Sequence, residues 1–122
     1  MFLTEELRTV VDIAASFIIS RKPYQLKNLR PVDVANEFNV DVEKLSDMFE
    51  KERFISISKF IEREKFNNSF LIIDRNPNIS IEELCKTVGF SKKKLNKLYK
   101  SQFLVSVGQY IDLAKQRKSI SL

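Results

Sequence analysis

The chain has 122 residues, 43% of them hydrophobic, with ten Phe but only two Gly and three Pro; this suits one small domain or two very small subdomains and excludes a low-complexity chain. Histidine is absent and Cys85 is the single cysteine, which removes the commonest general base, the commonest metal ligand and any internal disulfide. The net charge of +5 is unevenly placed: residues 1–60 hold nine Lys/Arg against ten Asp/Glu, residues 61–122 twelve against six, so a polyanionic partner is expected for the C-terminal half.

Two glycines cannot form a phosphate-cradling loop, and Cys85 lies in an apolar helical pattern without an activating partner. Neither an enzyme nor a cofactor is expected. No apolar run is long enough for a membrane span and no signal-peptide pattern opens the chain, which reads as a cytoplasmic domain.

Helical periodicity begins at once. Leu7, Val10, Val11, Ala14, Phe17 and Ile18 follow the i, i+3, i+4, i+7 spacing, with Thr4 as the expected N-cap and Arg21, Lys22 and Pro23 as the stop. A loop is predicted over Tyr24 to Arg30. Pro31 suits the first position of a short helix with Val34, Ala35 and Phe38 inward, ended by Asn39 in the left-handed conformation. Asp41 caps the next helix, with Leu45, Met48 and Phe49 inward. From Ser56 to Arg75 a longer helix carries Ile57, Phe60, Ile61, Phe66, Phe70 and Ile73 on no single stripe, the pattern of a helix serving two cores.

After a turn at "NPN" (76–78), Ser80 and Glu83 form a capping box ahead of Ile81, Leu84, Cys85 and Val88. Gly89 ends that helix. Ser91 caps the next, which has Leu95, Leu98, Tyr99 and Gln102/Phe103 inward, and Ser106 with Gln109 opens a last helix bearing Tyr110, Ile111 and Ala114. Strand-like alternation is absent. The expected fold is all-α, with about seven helices.

The sequence also repeats with a period of about 50 residues. Val34-Ala35 falls on Leu84-Cys85, Asn39 on Gly89, Asp41 on Ser91, Leu45 on Leu95 and Phe49 on Tyr99. Farther on, Ser56 falls on Ser106 and Phe60-Ile61 on Tyr110-Ile111. Each copy is a short helix, a tight turn with a left-handed residue, and a second capped helix, which is the outline of a helix-turn-helix. A helix of about 18 residues over 56–75 would span roughly 27 Å, near the ~34 Å between neighbouring major-groove segments.

The residues "VANEFNVDVEKLSDMFEK", the linker "FIEREKF" and "ISIEELCKTVGFSKKKLNKLYK" together resemble the DNA-binding domain of the AraC/XylS family, over essentially the whole chain. The resemblance implies two helix-turn-helix subdomains, 1–55 and 76–122, joined by a central linker helix, 56–75. It also implies bacterial transcriptional regulation on the nucleoid, and in many members a separate sensing domain on further sequence. Several positions depart from the family pattern. The spacing from Phe90 to Tyr99 is one residue short, and the glycine after each recognition helix is replaced by Phe54 and Leu104. Val107 stands for a proline, Ile111 for an arginine, and Lys65 and Ser69 for an arginine and an alanine of the linker.

Between Lys92 and Lys100 five lysines occupy nine residues. With Leu95, Leu98 and Tyr99 inward, Lys92, Lys93, Asn96, Lys97 and Lys100 occupy the face a recognition helix offers to the groove. Asn96 is the expected adenine reader, and Lys92 and Lys93 are candidates for guanine. Lys97, Lys100 and Lys94 are expected at phosphates, with Ser91 at the cap beside them. The matching face of the first unit, with Val42, Glu43, Ser46, Asp47 and Glu50, is acidic. Glu43 suits cytosine N4 and Val42 a thymine methyl. Two readings stay open for it: a weak reader helped by Arg30, Arg53 and Lys59, or a surface for a protein such as RNA polymerase or another regulator. The expected principal partner is double-stranded DNA; no helix pairs its lysines with surplus exposed apolar bulk, so a membrane surface is not expected.

Overall fold

The computed structural model describes the backbone of residues 2–121 and the side chains of residues 10–118. Among these residues the chain is all-helical: α1 (Phe2–Ile19), α2 (Pro23–Leu26), α3 (Pro31–Glu37), α4 (Val42–Arg53), α5 (Ile57–Arg75), α6 (Ile81–Val88), α7 (Lys92–Phe103) and α8 (Val107–Ser121). Two features at the start differ from expectation. Helix α1 already includes Thr4, which therefore does not cap it; Leu7 is outside the residues whose side chains are described. The segment expected as a loop folds a single helical turn, α2, because Pro23 presets its first residue and Leu26 is fully buried in the core.

Two compact units result, one extending to Glu64 and the other from Lys65 on. In the first, α1 packs on α3 and α4, burying Val11, Ala14, Ile18, Val34, Ala35, Leu45 and Phe49. Arg21 ends α1 as a C-terminal cation should: its Nε donates to the Phe17 carbonyl (3.1 Å), with its guanidinium 4.2 Å above the Phe17 ring. In the second unit α6 packs on α7 and α7 on α8. Its core holds Leu84, Val88, Leu95, Tyr99, Val107 and Ile111. Helix α5 sends Ile57, Phe60 and Ile61 into the first core and Phe66 and Ile73 into the second, which is why its apolar residues keep to no single stripe.

The repeat is legible in the geometry. Val40 N–H donates to Ala35 O (3.0 Å), and Phe90 N–H to Cys85 O (3.3 Å). These are the same six-residue closures, made by residues exactly fifty apart, through left-handed Asn39 (φ 52°) and Gly89 (φ 81°). Phe49 meets Phe60 edge-on at 5.2 Å, and fifty residues later Tyr99 meets Tyr110 in the same way at 5.1 Å.

Candidate nucleic-acid interface

Helix α7 begins where Ser91 Oγ accepts the Lys94 N–H (3.1 Å). Leu95 and Tyr99 are buried and Leu98 half-buried, which fixes the rotation of the helix about its own axis. Lys92, Lys93, Lys94, Lys97 and Lys100 are all exposed, and no carboxylate occurs anywhere in the helix. Gln102 is exposed rather than inward. Phe103 takes that role in part, stacked 5.8 Å from Phe66.

Asn96 sits differently from the lysines. It is half-buried on the flank of the helix, and its Oδ1 accepts the backbone N–H of Val107, the first residue of α8, at 3.0 Å. Sequence spacing could not show this bond, because it joins residues eleven apart across a turn.

The tyrosine that anchors α7 is held by a second chain of bonds. Ser69 Oγ lies 2.6 Å from the Phe66 carbonyl and 2.6 Å from the Tyr99 hydroxyl. The carbonyl can only accept, so the serine gives it its proton and Tyr99 O–H donates to Ser69 Oγ. Burial pushes the Tyr99 phenol well above its ordinary pKa, and the Ser69 bond opposes that rise only in part. The residue that replaces the family's alanine thus partners a buried hydroxyl. Lys65, in place of the family's arginine, has its ammonium 5.7 Å from the centre of the Phe90 ring.

In the first unit Asp41 Oδ1 caps α4 through the Glu43 N–H (2.9 Å). Val42, Glu43, Ser46 and Asp47 line a shallow depression, in which Val42 is half-buried against the core, Ser46 is half-buried and Glu43 is exposed. Two of the cations expected to offset this acidic face are engaged with other carboxylates. Arg30 makes two bonds to Asp33 (3.2 and 3.1 Å), which hold that carboxyl below its usual pKa. Arg53 Nη2 donates to Asp12 Oδ1 at 3.0 Å.

The Cys85 thiol is half-buried, and desolvation, with Glu82 nearby, raises its pKa; a reactive cysteine needs the opposite shift. Among the described residues no three His, Cys, Asp or Glu side chains group to hold a metal ion, and no helix is long and apolar enough to cross a membrane.

These elements define the class: a pair of helix-turn-helix units, one with a strongly basic second helix and one with an acidic second helix. No protein-family model matches the chain. Over 90 residues, 74% of the chain, it is 30% identical to an uncharacterized HTH-type transcriptional regulator of Bacillus subtilis (strain 168), YfiF. The match spans only 28% of that relative's length. Among solved structures it is similar to the C-terminal domain of AraT, a response regulator from Geobacillus stearothermophilus, with a TM-score of 0.71 and 22% identity, covering 85% of this chain and 84% of that one. The all-α fold and the resemblance to the AraC/XylS helix-turn-helix domain are thereby borne out.

Proposed function

We propose that the chain is a DNA-binding domain of a bacterial transcriptional regulator, acting without catalysis or cofactor in the cytoplasm, on the nucleoid. Helix α7 enters the major groove and supplies most of the affinity. One observation carries this reading: five exposed lysines on a capped helix without a single carboxylate, at the position the second helix of a helix-turn-helix occupies. The twelve residues of α7 make a rod of about 18 Å. Lys93, Lys97 and Lys100 project opposite Leu95 and Tyr99, toward the DNA. Lys97 and Lys100, with Lys94 on the flank, hold phosphates, while Lys92 and Lys93 in the first turn reach guanine O6 and N7. The Ser91 hydroxyl keeps its own proton available for a phosphate oxygen. Helix α4 reads weakly, through Glu43 and Val42 with Ser46 beside them.

The second reading is favoured by one observation, the pairing of Arg30 and Arg53 with carboxylates of their own unit. It leaves α4 acidic and makes it a surface for RNA polymerase or another regulator. The regulatory signal would come from a sensing domain on other sequence. Selection of bound duplexes from a randomised ~30-bp pool, with wild type and Glu43→Ala, separates the two. Two half-sites, one of them lost in the variant, would show both units reading. A single motif unchanged in the variant would leave α4 to a protein partner. No enrichment would overturn DNA recognition.

A further inference from the structure

We propose that Asn96 is a positioning residue that anchors α7 to the first turn of α8 through Val107, and that it does not read a base. This rests on the reading of α7 as the helix that meets DNA. An amide nitrogen cannot accept a hydrogen bond, so the 3.0 Å contact requires Oδ1 to point at the Val107 N–H. Pairing with adenine needs that same oxygen to accept from N6 while Nδ2 donates to N7. The side chain is half-buried on the flank, turned toward its own unit.

The bond answers a specific need. Val107 opens α8, so its N–H has no partner within the helix. Gln109 N–H, two residues on, is taken by Ser106 Oγ (3.2 Å), and Gln109 Oε1 accepts the Ser106 N–H in return (2.8 Å). That capping box leaves the Val107 donor to Asn96. Val107 is itself fully buried, so water cannot readily replace the amide oxygen. Lys92, Lys93 and Lys100 lie one turn before or after Asn96 on α7. Tying Asn96 to α8 fixes the roll of α7, and with it the direction in which those lysines point. The same flank of the first unit carries Ser46, also half-buried.

The test uses the whole chain as wild type, Asn96→Ala and Asn96→Asp, because aspartate keeps the acceptor and loses the donor that adenine needs. Amide exchange of Val107, followed by NMR in the free protein, should be slow in wild type and Asn96→Asp, and roughly fivefold or more faster in Asn96→Ala. In the pool selection all three proteins should enrich one motif, with Asn96→Ala weaker by one common factor on every duplex. Lost preference at a single base pair in Asn96→Ala or Asn96→Asp would overturn the proposal. So would Val107 exchange that ignores the substitution, or undiminished binding by Asn96→Ala. If wild type enriches no duplex, DNA recognition falls by itself, and the Val107 exchange still decides whether the anchor exists.

Discussion

Ser69 is the one buried polar residue among the described side chains, and its hydroxyl serves two partners at once. Ser69→Ala strands the Tyr99 hydroxyl in the core and is expected to cost about 1–3 kcal/mol. Tyr99→Phe removes donor and need together and should cost about 1 kcal/mol; the double variant should then be no worse than Ser69→Ala alone. Urea unfolding of the set measures this. Tyr99 also sets a pH dependence. Its folded pKa is raised, so its stabilising effect is complete below the unfolded phenol value of about 10 and is lost as pH rises above it. The stability difference between wild type and Tyr99→Phe should therefore shrink from pH 8 to pH 11. A constant difference would contradict the burial of the phenol. At Phe54 (φ 58°) and Leu104 (φ 63°) left-handed backbone carries bulky side chains that are 92% and 87% exposed. Those side chains gain almost nothing from burial, so Phe54→Gly and Leu104→Gly are each expected to raise stability by about 0.5–1 kcal/mol, read as a higher Tm.

At the scale of the element, α4 and α7 share a design and differ in charge. Both have 12 residues, an N-cap side chain that bonds a first-turn N–H, and a left-handed C-cap. Their outer faces have opposite character, lysines on α7 and Glu43, Asp47 and Glu50 on α4. Lys97→Ala should weaken binding on all duplexes and reduce the slope of log K against log salt by about 0.9, one phosphate contact. Asp47→Asn with Glu50→Gln should do the reverse, strengthening binding on all duplexes by removing repulsion. A titration at three or four salt concentrations distinguishes the two. An unchanged affinity in the acidic-face double variant would place α4 away from the phosphates.

For the whole molecule, the charge imbalance between the halves becomes a statement about affinity. If Lys94, Lys97 and Lys100 each neutralise a phosphate, the salt slope approaches about −2.7. A slope near −1 would mean that α7 does not lie along the groove. The two units repeat one plan, with Val34 and Leu84 both fully buried and Phe49 and Tyr99 likewise. The two units share their core plan and differ in surface charge.

Much of this was legible in the residues alone. The positions of α3 to α8, both left-handed turns, the caps at Asp41, Ser80, Ser91 and Ser106, and the two-core character of α5 all follow from local rules, because capping and periodicity act over a few residues. The basic face of α7 followed from the same periodicity. Tertiary structure decided what local rules cannot reach. It made a helical turn at Pro23–Leu26, because the burial of Leu26 outweighs the weak helical tendency of four residues. It paired Ser69 with Tyr99 across thirty residues and Asn96 with Val107 across eleven, and it engaged Arg53 with Asp12 across forty-one. Sequence by itself determined which faces are apolar and which charged, since those depend on side-chain identity and helical pitch. Which polar groups remain available to a partner was decided only on folding, because a hydrogen bond needs two groups within about 3 Å, and packing alone brings distant residues that close.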